Sequence, residues 1–315
     1  MVPPRARQSP SDPILPFLEM AIRQREARLF IQIILIMRSF RSALLLLAIG
    51  VPVAARAQQA DYAAAMHGAH GKETPTATPI ARIAPRTAVV GSDVMYGTVD
   101  GKMLHGYMAR PANAPRNAPA IIVVHEWWGL NDNIKAIVDR YAGEGYVALA
   151  VDLFGRVATT PDTAMVLYQT AMKNVPAGDK NVAAGIAYLK AQGASKIGAV
   201  GYCFGGHWSL RTGLVGGRDI NAVVIYYGAP ITDDAQLARL SAPVLGLFGG
   251  LDRGIPVDSV RAMERALKAG GKTVTINVYA DANHGFSNPS GQAYNAPAAT
   301  DAWNKSLAFF QANLR

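Results

Sequence analysis

Cysteine is nearly missing from this chain: Cys203 is the only one in 315 residues. A single cysteine excludes an intramolecular disulfide. There is no internal repeat, which excludes a solenoid, and no G-x-G-x-x-G fingerprint of a dinucleotide fold. Charged residues make up 17% of the chain, and its net +9 is unevenly spread. The first 57 residues carry eight Arg and no Lys against Asp12, Glu19 and Glu26, a net +5 that leaves +4 for the rest. That remainder is ordinary for a soluble domain and holds no basic run, so nucleic-acid binding is set aside. Half of the residues are hydrophobic, enough for a sizeable core in one large domain or two small ones.

The apolar run over residues 42–53 is short for a membrane span. It follows the positive segment Met37-Arg38-Ser39-Phe40-Arg41 and precedes Ala55-Arg56-Ala57, a small-x-small cleavage pattern. Together these read as a secretory signal over residues 37–57, with Met37 placed where a start would suit and export to the periplasm or beyond as the expectation. Residues 1–36 read as an N-terminal extension. The alternative is an uncleaved anchor, with residues 29–37 lengthening an apolar region that Arg38 and Arg41 interrupt. Contact with a membrane is expected only through this signal. Residues 58–88, rich in Ala, Thr, Pro, His and Gly, read as a flexible linker. His67 and His70 lie three apart there, and a solvated tail is preferred to a metal site.

The globular domain is expected from residue 89 to the end. Two extended stretches, 94–99 and 103–108, flank the hairpin signal Asp100-Gly101. Continuous apolar runs at 120–124, 146–153, 196–200, 222–227 and 244–248 read as parallel strands buried on both faces. An alternating run at 273–279 reads as a further strand. Helical patterns fall at 131–143, 161–174, 179–192, after Gly206, and at 257–269 and 297–314. Strands alternating with helices predict an α/β fold with a mainly parallel sheet covered on both faces.

One stretch carries the chemistry. Gly201-Tyr202-Cys203-Phe204-Gly205-Gly206 follows a buried strand and opens a helix, the context of a nucleophile elbow with Cys in place of Ser. A nucleophile on so sharp a turn leaves no room for side chains two residues before or after it, which Gly201 and Gly205 satisfy. The alternative, a small buried hydrophobe, fits a lone Cys but not this frame. Such a nucleophile needs a base and an orienter. Only His207 and His284 follow Cys203. His207 lies one turn along the elbow helix and is expected to pack sideways, so His284, on a loop after the last strand, is favoured. Asp252, in the turn Phe248-Gly249-Gly250-Leu251-Asp252, is the expected orienter, with Asp281 as its rival. Glu126 leaves the end of the 120–124 strand, either as a loop anchor or as a proton acceptor near Cys203. The N–H groups of Trp127 and Phe204 are the expected oxyanion donors, and Trp127 and Trp128 would wall a pocket. Two core Trp and a surface Glu are the plainer alternative.

These residues resemble the dienelactone hydrolases (carboxymethylenebutenolidases), a branch of the α/β-hydrolase fold. The similarity spans residues 89–314 and rests on His125-Glu126-Trp127-Trp128-Gly129, Asp152-Leu153-Phe154-Gly155-Arg156, the Cys203 elbow, Gly249-Gly250-Leu251-Asp252 and His284-Gly285-Phe286. It implies a Cys203–His284–Asp252 triad, Glu126 as the carboxylate that helps deprotonate the thiol, and no cofactor or metal. It also places Trp128, Tyr168, Phe286 and Asn288 at the substrate pocket. Asn288 stands where the family's type enzymes carry an anion-binding arginine, and Ala164 where they carry another. The expected activity is cleavage of a small ester or lactone. The alternatives are a broader carboxylesterase or thioesterase acting on neutral substrates and a non-catalytic hydrolase-fold binding protein.

Overall fold

The computed structural model describes Ala65, His70, Glu73 and residues 75–315. Contacts divide the chain into two units, Met1–Gln59, which lies outside the described residues, and Ala60–Arg315. The expected signal and His67 also fall outside them.

Among the described residues the second unit is built on one eight-stranded sheet. Its strands are β1 (Val89–Val99), β2 (Lys102–Pro111), β3 (Ala120–Val124), β4 (Val147–Val151), β5 (Ile197–Tyr202), β6 (Ala222–Tyr226), β7 (Val244–Gly249) and β8 (Val274–Tyr279). They lie in the order β1-β2-β4-β3-β5-β6-β7-β8. The β1–β2 hairpin pairs antiparallel and joins β4 antiparallel; the others pair parallel. Asp100 and Gly101 turn the hairpin with φ of 49° and 78°, the left-handed pair that a two-residue turn between twisted strands requires. Every residue of β3, β4, β5, β6 and β7 is buried, which is why these segments read as unbroken apolar runs.

The helices are α1 (Asp132–Gly143), α2 (Pro161–Lys173), α3 (Val175–Ala191), α4 (Phe204–Gly216), α5 (Asp234–Leu237), α6 (Val257–Ala269) and α7 (Ala296–Leu314). Side chains cap most of them: Asn131, Thr160, Asn174, Asp233 and Asn295 each accept an N–H from the first turn. The Asn174 cap, with Pro176 behind it, starts α3 at Val175, four residues before the start expected at 179. The short α5 has no apolar period to announce it. The winding of the chain reverses at β3, which has β4 on one side and β5 on the other. A parallel sheet opens a crevice beyond its carboxyl ends at such a point, and Glu126 and Cys203 stand just past the ends of β3 and β5.

The linker expectation is corrected for its described part. Residues 79–81 form a 3-10 turn, and Ala77 and Ala81 are buried. Asn131 Nδ2 donates to the Pro75 carbonyl at 3.0 Å, and Thr78 N–H to Ser290 Oγ at 2.9 Å. A polar composition with few apolar anchors reads as loose chain, but two buried alanines and hydrogen bonds to the domain seat it.

Candidate active site

The elbow is built by steric necessity. Cys203 sits between β5 and α4 with φ of 56°, a left-handed value that strains any residue but glycine. A Cβ on Gly201 would stand 1.8 Å from the Gly205 carbonyl oxygen, and one on Gly205 would stand 2.1 Å from that of Val124. The turn closes only because both positions lack side chains. The Cys203 N–H donates to Tyr226 O at 3.0 Å, and Gly206 N–H to Cys203 O at 2.9 Å. These bonds tie the strained residue to β6 and to its own helix.

His284 and Asp252 meet as expected. His284 Nδ1 lies 2.7 Å from Asp252 Oδ2, both side chains almost wholly buried. Asp252 Oδ1 accepts the N–H groups of Gly254 and Ile255, each at 2.9 Å. One carboxylate oxygen is thus fixed by the backbone while the other orients the imidazole. The rival Asp281 is exposed, and its carbonyl accepts Asn295 Nδ2 at 3.3 Å. His207 packs sideways with Nδ1 3.0 Å from the Ala229 carbonyl oxygen, and burial lowers it to about 4.

Glu126 is buried and held from two sides. Tyr227 Oη donates to its Oε1 at 3.1 Å, and Asn288 Nδ2 to its Oε2 at 2.9 Å. Burial first, and then the thiolate charge of Cys203, push its carboxyl up to about 7. Tyr227 is a residue that sequence reasoning missed. It follows β6 with φ of 36°, and its hydroxyl also meets Ser287 Oγ at 2.7 Å. Its position at the carboxyl edge of a buried strand was the available signal. Neighbouring His125 is structural: Nδ1 donates to the Glu126 carbonyl at 2.8 Å and Nε2 accepts Leu153 N–H at 3.1 Å. It fastens the loop after β3 to the loop after β4.

Two of the expected pocket residues make contacts of their own, and Asn288 lines a cavity beside Glu126. Asn288 turns its amide to Glu126, because a buried carboxylate needs donors on both oxygens. Phe286 is fully buried against Tyr279 and Tyr227, with ring centroids 5.1 and 5.3 Å away, where an aromatic ring between two strand ends has no open face. Trp127 and Tyr168 are buried near the elbow, with the Tyr168 ring 6.2 Å from Trp127 and 5.9 Å from Phe204, and the adjacent Trp128 is buried as well. The N–H groups of Phe204 and Trp127 find no backbone carbonyl among the described residues.

The largest correction concerns His70. Instead of a solvated tail it is 7% exposed. Its ring stacks on Trp127 at 5.6 Å and meets His284 edge-on at 5.9 Å. Its Nδ1 lies 2.6 Å from Glu73 Oε2. The available signal was Glu73 itself, a carboxylate three residues on. Donor atoms of His70, Cys203 and His284 lie within 4.8 Å of one another; a thiolate and two imidazoles are also a donor set that zinc accepts. Burial pushes the Cys203 thiol up, but the imidazole of His284, and after it that of His70, pulls harder, leaving it at about 6. Burial lowers His284, while Asp252 and Cys203 raise it well above its ordinary value. The pair therefore favours thiolate and imidazolium over the neutral forms.

Residues 104–314 match the Dienelactone hydrolase family. The chain belongs to the dienelactone hydrolase family. A protein of Escherichia coli O157:H7, provisionally named a carboxymethylenebutenolidase, is 33% identical over 75% of this chain and 93% of its own. The Aquifex pyrophilus protein named "Protein usf" is 32% identical over 67% of this chain and 94% of its own. Among solved structures, a provisionally named dienelactone hydrolase from Klebsiella pneumoniae subsp. pneumoniae superposes with a TM-score of 0.64 and 28% identity, covering 71% of this chain and 99% of that one. The sheet and helices are those of the α/β-hydrolase fold, and membership makes this dienelactone hydrolase relative a hydrolase of ester or lactone bonds.

Proposed function

We propose that the protein hydrolyses a small ester or lactone through Cys203, His284 and Asp252. The observation that carries this reading is the meeting, beyond the carboxyl ends of three different strands, of a strained Cys203 and an Asp252-oriented His284. The thiolate attacks the substrate carbonyl, and the N–H groups of Phe204 and Trp127 hold the oxyanion, each worth about 3 kcal/mol. The His284 imidazolium gives its proton to the departing alkoxide, leaving a thioester on Cys203. Neutral His284 then takes a proton from water as its oxygen attacks the thioester, and Cys203 leaves as thiolate. Glu126, near neutrality and electrostatically coupled to the sulfur, ionises less readily while the thiolate is present and more readily once Cys203 is acylated.

The substrate class we favour is a neutral ester rather than an anionic lactone. An Arg–carboxylate fork is the strong form of anion recognition. Here one of the two positions is Ala164, and the other is Asn288, whose amide already serves Glu126. Export through the signal at residues 37–57 belongs to the same proposal, and N-terminal sequencing of the mature protein is its check.

The test is hydrolysis of a panel containing p-nitrophenyl acetate, a neutral lactone and a dienelactone by the parent and by Cys203→Ala. The parent is expected to turn over, with the neutral esters ahead of dienelactone. Cys203→Ala is expected to lose at least about 10⁴-fold in kcat. Equal rates for the two proteins would remove the thiol from the mechanism, and a preference for dienelactone would remove the neutral-substrate reading.

A further inference from the structure

One buried imidazole–carboxylate pair has no part in the steps above. His70 and Glu73 come from the segment that precedes the sheet, yet they repeat the architecture of His284 and Asp252. In each pair Nδ1 is held by a carboxylate, at 2.6 Å in one and 2.7 Å in the other. In each, a carboxylate oxygen also takes backbone N–H: Glu73 Oε1 accepts that of Gln292 at 3.2 Å, as Asp252 Oδ1 accepts those of Gly254 and Ile255. A carboxylate on Nδ1 leaves Nε2 as the atom each ring turns to chemistry. The donor atoms of both rings and Cys203 lie within 4.8 Å of one another. The sulfur thus faces two oriented imidazoles.

We propose that His70, oriented by Glu73, is a second catalytic imidazole of this site: as imidazolium it holds the Cys203 thiolate, above all when that thiolate is the leaving group of the acyl-enzyme. The proposal rests on Cys203 being the nucleophile. In the step concerned, water attacks the thioester carbon, His284 takes the water proton, and the C–S bond breaks with its electron pair going to sulfur. His70 keeps its proton and stabilises the charge that appears on Sγ. A thioester formed in a buried pocket hydrolyses only as fast as its thiolate is accommodated, so a second cation there acts on the slow half of the cycle. The surroundings keep the ring charged. In the free enzyme burial works against the proton, but the thiolate and Glu73 outweigh it and raise His70 to about 9; in the acyl-enzyme the sulfur is uncharged and Glu73 alone supports the proton until the C–S bond breaks. The other ionisable groups facing it are Glu126 and His284.

The test uses the full chain, treated with chelator to clear any metal ion from the three donors, and compares the parent with His70→Phe and Glu73→Gln. Phenylalanine keeps the ring stacked on Trp127 and removes the nitrogens. If His70→Phe proves unstable, Glu73→Gln, which keeps side-chain size, carries the test alone. Two quantities are read: the pH profile of Cys203 alkylation by iodoacetamide, and the burst and steady-state rates on p-nitrophenyl acetate at about pH 8, above the thiol midpoint of the parent and below that of His70. In His70→Phe the alkylation midpoint is expected to rise by about one pH unit. Its burst should persist while the steady-state rate falls about 100-fold. Glu73→Gln moves both in the same direction by less. Profiles and rates within twofold of the parent would reduce His70 to packing. A steady-state rate above the parent's would make it a plug over the nucleophile. Either result overturns the proposal. A fully active Cys203→Ala would instead bring down the hydrolytic reading, while the alkylation profile would still report whether His70 holds the thiolate.

Discussion

Two imidazoles reach the same sulfur from different parts of the molecule. His284 rides on a loop after β8, and its partner Asp252 on the loop after β7, so adjacent parallel strands set the distance between them. His70 and Glu73 sit three residues apart in the segment before the sheet, and that segment is held by contacts with loops of the domain. The first pair is therefore placed by the sheet and the second by loop hydrogen bonds and the stacking of His70 on Trp127. An orienting carboxylate fixed by strands loses little if one neighbour changes, whereas a pair fastened by a few hydrogen bonds depends on each of them.

The largest effect that separates the pairs is expected on the strand-borne one. Asp252→Asn keeps the shape but removes the charge that orients and supports the His284 imidazolium; kcat should fall about 10³- to 10⁴-fold. Glu73→Gln, the matching change in the other pair, should cost no more than about 100-fold. Steady-state kinetics of the two variants on one neutral ester make the comparison. Equal losses would mean the two imidazoles share one role, and a larger loss for Glu73→Gln would reverse their ranking.

What the sequence made legible follows the same division. Strands buried on both faces announce themselves as apolar runs, and 120–124 and 222–226 lie where those runs lie. The Asp100-Gly101 hairpin and the Gly201–Gly205 frame were readable because each demands a residue without a side chain or with positive φ. The placement of Cys203, Asp252 and His284 past strand ends was readable too, since the first two follow apolar runs and His284 an alternating one. Contacts between side chains from distant segments left no such trace. Nothing local in Asn288 says that it will donate to Glu126, and the strand-end position of Tyr227 marks the neighbourhood but not the partner of its hydroxyl. His70 was hidden for a different reason. Its segment has the composition of loose chain, and composition does not register a single ring that fits between Trp127 and His284.

A subtler effect sharpens the contrast between the groups around the sulfur. The thiolate exists above about pH 6, so alkylation of the parent should slow as pH falls through that value and the sulfur is protonated. Glu126 and the thiolate repel each other, which is one cause of the carboxyl's rise to about 7. Glu126→Gln removes that like charge, so the alkylation midpoint should move down, by less than one pH unit because the carboxyl is largely protonated at pH 6. Loss of His70 should move it up. Opposite signs would establish that the two groups act on the thiol electrostatically. Shifts of the same sign would point to a general loosening of the site.

The central claim is that Cys203 carries the acyl group during turnover. Its most direct measurement is mass spectrometry of the protein quenched during steady-state hydrolysis of p-nitrophenyl acetate, with the modified residue located by digestion. An acetyl group on Cys203, formed and lost at rates matching turnover, is the result expected here. Continued turnover with an unmodified Cys203, at a rate that Cys203→Ala retains, would contradict it.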